Sequence, residues 1–401
     1  MVVGTPPTTL GPDTVTDSPP PADGSSASGA GLARRRRRRW AKGAGLGAVV
    51  LVAVAVGAGW TAYARLSANI RSDDAAAAEL DRYARERPAV LAPGARNILL
   101  IGSDSRAGSG NARYGRDLGS QRSDTTILLH LAADRRSATA VSVPRDLMVD
   151  IPGCLQGDGT RGRPVFAMFN HAFELGGSAC TVRTVEKLTD IRVDHHMVVD
   201  FSGFKDMVDA VDGVRVCLKE PVDDKAAKLR LPAGEVTLDG EQALGYVRAR
   251  ESLGDGSDTE RMRRQQRFLG ALVTRVRGND VLLNPLRLYA VLDAATSSLT
   301  TDPGLANLGD LYRLVRTLHD IPTRHMQFLT VPREQYVYDA NRDQLVEPEA
   351  EKLFKRLRAD QPVVVEGQAP EKPPAPQKGT NGGPSPAPTY TGNTAAEHGC
   401  A

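Results

Sequence analysis

Paired basic and acidic side chains lie beside three apolar segments of this sequence, and they are the first candidates for chemistry. The segments are NILLIGSDSR (97–106), QRSDTTILL (121–129) and AVSVPRD (140–146), with the pairs Asp104 and Arg106, Arg122 and Asp124, and Arg145 and Asp146. Taken alone, such residues could form a turn or a surface ion pair. In α/β sheets, ligands bind at the ends of strands. The recurrence of these Arg/Asp pairs at neighbouring strand ends therefore predicts one site that holds both a cation and an anion.

A second group of candidates lies in the segment ALGYVRARESLGDGSDTERMRRQQ, residues 243–266. If YVRAR is extended, Arg248 and Arg250 are two positions apart and project to the same side of the chain. In the helix expected after Asp258, Gln265 interrupts an apolar stripe that would otherwise be buried. Its amide then needs a polar partner, which could be Arg248, Arg250 or a bound ligand.

Clustered arginines indicate a phosphate-bearing ligand, because the planar guanidinium donates two parallel hydrogen bonds and stays charged. Arg263 and Arg264 fit a solvated helix face instead and are left outside the predicted site. In a cytosolic protein, the cluster would indicate nucleic acid. The net charge of only +3 over 401 residues argues against a dedicated polyanion-binding protein, so the compartment of the cluster decides between these ligands.

An apolar segment near the N-terminus predicts that the candidate residues lie outside the cytoplasm. Residues 43–64, GAGLGAVVLVAVAVGAGWTAYA, contain no charged side chain, and a membrane-spanning helix needs about 20 such residues. Six arginines, 34–39, precede the segment, and basic residues remain cytoplasmic. We therefore expect a single-pass membrane protein with a cytoplasmic N-terminus, and an uncleaved signal-anchor rather than a cleaved signal peptide. Nucleic acid is not an expected partner.

Composition divides the chain into predicted regions, of which one is a compact domain. Pro/Gly/Ser-rich ends cannot bury a core and are predicted to be disordered. Between them, alternating strands and helices predict an α/β sheet covered by helices on both faces. The regions are a disordered cytoplasmic tail (1–39), a transmembrane helix (40–64), a helical stalk (65–91), an extracytoplasmic domain (92–360) and a disordered Pro/Gly-rich tail (361–401).

The cysteines and histidines are few and indicate structural roles. Four cysteines, at positions 154, 180, 217 and 400, are too few and too scattered for a zinc site or a disulfide framework. Cys154 and Cys180 bracket a loop and a helix, and an oxidising compartment would allow one bridge between them. His171, His195 and His196 are expected to be structural or exposed.

The order of these motifs resembles that of the LytR-CpsA-Psr family of extracytoplasmic phosphotransferases. NILLIGSDSR, QRSDTTILLHL, VSVPRD, NHAFELGG, VDFSGFKDMVDAVDGVRVCL and LDGEQALGYVRAR, with D and RQQ after it, occur in the family's order between residues 97 and 270. The resemblance implies an α/β fold with a central mixed sheet. It also implies transfer of a glycopolymer from a polyprenyl-pyrophosphate lipid onto peptidoglycan, with Mg²⁺ as cofactor and polyprenyl phosphate as the released product.

The resemblance further implies a role for each matching position. The positions of the family's metal-binding aspartates are Asp104 and Asp124. Those that hold pyrophosphate are Arg122, Arg145, Arg248, Arg250 and Gln265, with the acidic Asp258 near the same site. Arg145 would also stabilise charge on the departing phosphate. Asp124 or Asp258 would accept the proton of the acceptor hydroxyl.

Three alternative functions remain compatible with the sequence. They are a polyprenyl-pyrophosphate hydrolase, a regulator that attenuates transcription and a non-catalytic wall-binding anchor. The regulator would need a cytoplasmic DNA-binding domain, and residues 1–39 contain no helix-turn-helix pattern. The hydrolase differs from the transferase in using water as the acceptor.

Overall fold

Helices and strands alternate along the chain in the computed structural model, which describes residues 29–103, 123–249, 258–278, 284–365 and 389–397. The helices are α1 (Gly29–Asn69), α2 (Asp74–Arg82), α3 (His171–Thr189), α4 (Phe201–Ala210), α5 (Gly240–Arg248), α6 (Asp258–Val276), α7 (Pro285–Ser298), α8 (Leu308–Asp320) and α9 (Glu349–Arg358). The strands are β1 (Arg71–Ser72), β2 (Arg96–Ser103), β3 (Ser123–Leu131), β4 (Ala138–Val143), β5 (Met148–Ile151), β6 (Val165–Met168), β7 (His195–Asp200), β8 (Val214–Leu218), β9 (Val222–Asp224), β10 (Leu229–Leu231), β11 (Gly234–Leu238), β12 (Leu299–Thr301), β13 (Met326–Thr330), β14 (Arg333–Tyr336), β15 (Asp339–Leu345), β16 (Val364–Val365), β17 (Thr389–Tyr390) and β18 (Gly392–Thr394).

The apolar segment lies in α1, a helix of 41 residues. Its part Leu46–Asn69 is long and apolar enough to cross a membrane. The predicted disorder of residues 1–39 is wrong from Gly29 onward, and the predicted span 40–64 is shorter than the helix. Alanine, leucine and arginine are favourable helix formers, and no proline interrupts residues 29–69, so the helix continues beyond the apolar segment at both ends.

The second of two compact units, Ala62–Ala401, is built around a mixed sheet to which the described residues contribute eight strands. The strand order is β1-β12-β7-β2-β3-β4-β13-β18. The pairs β1–β12, β2–β7 and β4–β13 are parallel, and the other neighbours are antiparallel. The prediction of a mixed sheet is confirmed, and the apolar segments within 97–106, 121–129 and 140–146 form β2, β3 and β4.

Helices cover both faces of this sheet. Successive residues of a strand point to opposite faces, so the two faces of β2 can be followed residue by residue. Leu99 and Ile101 of β2 belong to a buried cluster that includes residues of α3 and α9. Ile98 belongs to a second buried cluster, on which Leu100 and residues of α6 and α8 pack. Both sides of β2 are thus removed from water, which explains its uninterrupted apolar sequence. The predicted α/β class with helices on both faces is confirmed.

The C-terminal part of the chain returns to the sheet, which corrects the predicted disorder at β16, β17 and β18. Residues 366–388 and 398–401 of the predicted tail lie outside the described residues. Strand β18 pairs antiparallel with β13, with Asn393 opposite Phe328, and β16 pairs in parallel with β17. Without β18, the outer strand β13 would present unpaired backbone groups. The composition of the tail does not reveal this pairing, because the partner of β18 is β13, a strand that is distant in the sequence.

A disulfide joins Cys154 to Cys180, with an S–S distance of 2.02 Å, and confirms the predicted bridge. It links the segment between β5 and β6 to α3. A Cβ atom on Gly176 would come within 2.9 Å of the Cβ atoms of both cysteines, and Gly177 has a φ of +60°. Non-helical backbone at these two glycines therefore interrupts α3. Cys217 is also disulfide-bonded, which was not predicted from the sequence.

The predicted stalk, residues 65–91, is helical only in part. After α1 ends, the two-residue strand β1 joins the sheet beside β12, and α2 follows. Residues 83–87 form turns and a bend. The segment does not form an independent helix, because its backbone and side chains pair with the folded domain.

Asp73 links the start of α2 to α3 and β7. One carboxylate oxygen accepts the N–H of Ala76 at 3.1 Å, and the other accepts the hydroxyl of Ser178 and lies 3.2 Å from Nε2 of His196. Ser178 and His196 are buried. Burial raises the pKa of Asp73, but hydrogen bonds with His196 and Ser178 outweigh it and hold this pKa below its ordinary value. The predicted structural role of His196 is confirmed, and His195 likewise pairs with an aspartate.

We expect Asp73→Asn to lower the free energy of unfolding at pH 7 by about 1–2 kcal/mol, because buried partners lose a charged acceptor. A carboxyl whose pKa is lowered on folding stabilises the protein above its unfolded pKa of about 3.9 and loses this effect as pH falls through the folded value. The difference between variant and wild type should therefore shrink as pH falls below about 3.9. Chemical denaturation of the full chain in detergent measures it, with the exposed Asp81→Asn as control. A difference that persists unchanged at low pH would contradict this role.

Candidate active site

Charged side chains gather at one edge of the sheet because several strands begin or end there. In the antiparallel pair β3–β4, Thr126 lies opposite Val143. Continued outward, this register brings Asp124 opposite Arg145. Strand β7 runs parallel to β2 and ends with Asp200 at the same edge. The prediction that Arg/Asp pairs from neighbouring strand ends come together is confirmed for Asp124 and Arg145.

Arg145 is held between two carboxylates. Its Nη1 donates to Oδ1 of Asp124 at 3.0 Å, and its Nε donates to Oδ2 of Asp146 at 3.2 Å. All three side chains are half-buried. Because partial burial reduces screening by water, these ion pairs are stronger than they would be on an open surface. They fix the position of the guanidinium without a ligand.

Beside Arg145 lies a cavity of about 490 Å³, the apolar pocket, whose walls come from β2, β7, α4, α5 and α6. Most of its lining is aliphatic or aromatic and includes Ile101, Phe201, Phe204, Phe268 and Leu272. Its charged and amide lining residues are Asp124, Arg145, Asp200, Asp224, Arg248, Arg261 and Gln265. A ligand of this pocket would bury apolar groups and meet three arginines.

Arg248 reaches the pocket from the C-terminal end of α5, not from an extended segment as predicted. Helix α5 begins with a capping box, in which the side chains of Asp239 and Gln242 satisfy backbone N–H groups. Helix α5 therefore begins upstream of YVR and includes these three residues, which were predicted to be extended. The guanidinium of Arg248 lies over the ring of Phe201, 4.7 Å from the ring centroid. The negative face of the ring attracts the cation and holds it at the pocket wall.

Helix α6 contributes Gln265 to the pocket and fixes the end of α5. Nε2 of Gln265 donates to the carbonyl oxygen of Val247 at 3.2 Å, so the amide's partner is backbone and not an arginine. Arg264 donates to the carbonyl oxygen of Tyr246 at 2.9 Å and to that of Ala249. The prediction that Arg264 is solvated is wrong, since only 7% of it is exposed. The last carbonyl groups of a helix have no hydrogen-bond donors within the helix. Arg264 provides these donors at the end of α5.

The profile of the LytR_cpsA_psr family matches residues 66–359. The chain belongs to this family. It is 37% identical over 214 residues to LcpB of Corynebacterium glutamicum, a probable cell wall biosynthesis protein, over 52% of this chain and 48% of LcpB. The chain thus spans about half the length of LcpB.

The chain is also similar to a named transferase and to a solved structure of the family. The chain is 29% identical over 263 residues to TagT of Bacillus subtilis, named a polyisoprenyl-teichoic acid–peptidoglycan teichoic acid transferase, over 64% of this chain and 75% of TagT. A LytR-Csp2A-Psr enzyme from Actinomyces oris matches with a TM-score of 0.53 at 21% identity, over 68% of this chain and 93% of that one. The second match shows the LytR-CpsA-Psr fold.

Four residues selected from the sequence line the apolar pocket of this LytR-CpsA-Psr domain. They are Asp124, Arg145, Arg248 and Gln265. The predicted site residues Asp104, Arg122 and Arg250 lie outside the described residues, and Asp258 is described only as the first residue of α6. The chemical roles assigned to all of these positions remain predictions.

Three charged residues of the LytR-CpsA-Psr pocket were not predicted. Arg261 is buried and precedes Gln265 by four residues, so one face of α6 carries both, and this spacing was readable in the sequence. Asp224 is buried at the end of β9, where no local pattern marks it. Asp200 caps α4 by accepting the N–H of Gly203 at 2.8 Å. Its sequence context therefore indicates a helix start and not a site.

The donor set at the sheet edge fits Mg²⁺ bound together with substrate. Asp124 accepts a hydrogen bond from Arg145 through Oδ1, and a carboxylate has a second oxygen that can ligate a cation. Within the described ranges, no group of three or more His, Cys, Asp and Glu side chains is placed to hold a metal. Mg²⁺ takes one or two carboxylates and completes its shell with water and substrate phosphate. The carboxylate of Asp124 at this edge is compatible with that mode.

Substitution of two neighbouring arginines of α6, Arg263 and Arg264, tests whether Arg264 holds the end of α5, where Arg248 lies. We expect Arg264→Met to lower the free energy of unfolding by about 3 kcal/mol, because carbonyl groups at the end of α5 lose a charged donor. Arg263→Met should change it by less than about 0.5 kcal/mol, because Arg263 is exposed and pairs only with Glu260 in the described structure. Denaturant titration of both variants measures this. Equal effects would show that Arg264 does not hold the end of α5.

Proposed function

We propose that this protein transfers a glycopolymer from a polyprenyl-pyrophosphate carrier onto peptidoglycan and releases polyprenyl phosphate. The observation that carries the proposal is the apolar pocket, in which Arg145, Arg248 and Arg261 lie against aliphatic and aromatic walls. Its ligand must be amphiphilic, with an apolar chain that covers the walls and an anionic head that meets the arginines. A polyprenyl pyrophosphate combines both parts.

The names of related proteins support this donor and this acceptor. TagT aligns with the chain over 75% of its length and is named as a transferase of polyisoprenyl-linked teichoic acid to peptidoglycan. LcpB is described as a probable cell wall biosynthesis protein. The transferred polymer of this protein belongs to the same broad class, a phosphodiester-linked glycopolymer of the wall.

The arginines supply the electrostatic part of the reaction. A pyrophosphate linkage carries negative charges that must be neutralised before a hydroxyl can attack phosphorus. Arg145 and Arg248 are placed to stabilise this charge, and fixed donors in a partly buried site are more effective than mobile water. Because Asp124 and Asp146 already orient Arg145, little reorganisation is needed when the donor binds. Arg122, Arg250 and Gln265 are predicted to add hydrogen bonds to the same head group.

We assign Mg²⁺ to Asp124, with Asp104 as the predicted second ligand. When bound, the ion would neutralise phosphate oxygens and favour departure of polyprenyl phosphate. A carboxylate that faces both a guanidinium and a metal ion is a weak base. We therefore favour Asp258 over Asp124 as the group that accepts the proton of the acceptor hydroxyl.

The apolar part of α1 would anchor the enzyme as a single-pass membrane protein. We place the N-terminus in the cytoplasm, because six arginines at 34–39 precede the apolar segment. The catalytic domain then lies outside, where its acceptor is found. The Cys154–Cys180 disulfide agrees with this compartment, since disulfides persist in oxidising surroundings.

A transfer assay with the purified full chain, a polyprenyl-pyrophosphate-linked amino sugar, peptidoglycan and Mg²⁺ tests this function. We expect glycan-labelled peptidoglycan and free polyprenyl phosphate from the wild type. Arg145→Ala should reduce the rate about 10²–10³-fold, the loss found when one fixed oxyanion donor is removed. Arg136→Ala, an exposed arginine at the other end of β4, is the matched control and should keep full activity.

The same assay separates the transferase from its alternatives. Polyprenyl phosphate that appears at the same rate without peptidoglycan, and without labelled peptidoglycan in its presence, would identify a hydrolase. Tight peptidoglycan binding without any product would identify a wall-binding anchor. Full activity of Arg145→Ala would refute the proposed site.

Metal dependence gives a separate prediction for Asp124. Chelation with EDTA should abolish transfer, and added Mg²⁺ should restore it. Asp124→Asn should raise the Mg²⁺ concentration required for half-maximal rate at least about tenfold, because it replaces a charged ligand by a neutral one. Asp134→Asn in the exposed turn between β3 and β4 is the control. An unchanged Mg²⁺ requirement in Asp124→Asn would remove this residue from the metal site.

A further inference from the structure

A second cavity, of about 1290 Å³, lies on the other side of α6 from the apolar pocket and is named the polar cavity. Arg145 and Asp146 line it, and Arg145 lines both cavities. Its other walls come from α6, the hairpin of β14 and β15, the start of α9 and the C-terminal segment around β18. The residue proposed to meet the pyrophosphate is thus accessible from two sides.

Helix α6 separates the two cavities by its periodicity. Its residues Arg261, Gln265, Phe268, Leu269 and Leu272 line the apolar pocket. Its residues Thr259, Arg263, Gln266 and Arg267 line the polar cavity. Nε2 of Gln266 donates to Ser142 at 3.2 Å and to Thr330 at 3.0 Å, which fixes the helix on β4 and β13. The helix is therefore a shared wall with one apolar side and one polar side.

The charges of the polar cavity nearly cancel. Its lining includes six basic side chains and five acidic ones. Several form ion pairs within the wall, such as Arg145 with Asp146 and Arg333 with Asp343. A polyanion would meet about as much repulsion as attraction here. Side chains of both signs instead offer donors and acceptors to a ligand rich in hydroxyl and amide groups.

Aromatic rings extend the hairpin that forms one wall of the polar cavity. Strand β14 continues from Gln335, which lines the cavity, to Tyr336. The ring of Tyr336 lies 6.1 Å from that of Phe166 and 5.4 Å from that of Tyr338, measured between centroids. Tyr338 is 85% exposed and Phe166 52% exposed. Exposed rings beside polar groups suit sugars, which present apolar C–H faces with hydroxyls at their edges.

We propose that the polar cavity binds the acceptor glycan strand and that the aromatic residues Phe166, Tyr336 and Tyr338 extend this binding site. This inference rests on the proposed function. Phosphoryl transfer places the attacking and leaving oxygens in line on opposite sides of phosphorus. With the leaving polyprenyl phosphate in the apolar pocket, the acceptor must approach phosphorus from the side away from that pocket. The polar cavity, which lies across α6 from the apolar pocket and also borders Arg145, provides this approach.

The transfer step assigns each atom. The acceptor hydroxyl oxygen forms a bond to the phosphorus that carries the glycopolymer. The bond between this phosphorus and the bridging oxygen breaks, and that oxygen leaves with polyprenyl phosphate. The acceptor proton passes to the carboxylate of Asp258, the base favoured above.

Paired variants test this assignment with un-cross-linked peptidoglycan glycan strands as acceptor and a polyprenyl-pyrophosphate-linked amino sugar as donor. We expect the double variant Arg263→Ala/Arg267→Ala, and separately Tyr338→Ala, to raise the acceptor KM about tenfold. The donor KM and the acceptor-free hydrolysis of the donor should stay within about twofold of wild type. These readouts distinguish loss of acceptor binding from loss of folding.

The matched controls lie on α8, outside the polar cavity. Arg313→Ala/Arg316→Ala removes two exposed arginines, of which Arg313 pairs with an aspartate three residues away as Arg263 pairs with a glutamate. Tyr312→Ala removes a tyrosine that is 58% exposed. All kinetic constants of these controls should equal those of the wild type.

Other outcomes overturn the inference or the function on which it rests. An unchanged acceptor KM in the cavity variants would overturn the inference, as would a raised donor KM, which would place the donor glycopolymer in the cavity. If the wild type neither transfers nor hydrolyses the donor, the proposed function fails. Binding of the same glycan strands by the same variants, measured by calorimetry, then tests the cavity alone, and equal affinities would refute it.

Discussion

The structure depends on keeping arginines charged and in fixed positions beside an apolar pocket. Burying a charge is costly unless it is paired or hydrogen-bonded. Each arginine described in detail has a different solution: Arg145 lies between carboxylates, Arg248 lies over an aromatic ring, and Arg264 binds backbone carbonyls. A guanidinium does not lose its proton in proteins, so these groups remain cationic where a lysine or histidine could become neutral.

The fold meets this constraint by combining distant segments at one sheet edge. The antiparallel register of β3 and β4 brings Asp124 opposite Arg145. Strand β7, the parallel neighbour of β2, contributes Asp200. Helices α5 and α6 then close the pocket above this edge, joined by hydrogen bonds from Gln265 and Arg264. The strands thus set the positions of the acidic groups, while the helices supply most of the basic ones.

Three central strands and four residues of the apolar pocket, Asp124, Arg145, Arg248 and Gln265, were predictable from the sequence for physical reasons. Apolar runs with polar boundaries predict β2, β3 and β4, because buried strands need such runs, and the Arg/Asp pairs at their ends indicate the sheet edge. Local context misled at Arg248, where a capping box upstream extends α5, and at Arg264, whose backbone partners lie in another helix. Asp224 and the C-terminal strand β18 owe their places to long-range contacts, which no local pattern encodes.

The antiparallel pairing of β18 with β13 has a consequence for biogenesis. Strand β13 is synthesised well before β18, so the β13 side of the sheet stays unpaired until the intervening chain and β18 have followed. An open edge can pair with other unfolded chains, and closure across a long sequence separation is slow. Folding of this domain is therefore complete only when β18 pairs with β13, and until then the unpaired strand favours aggregation.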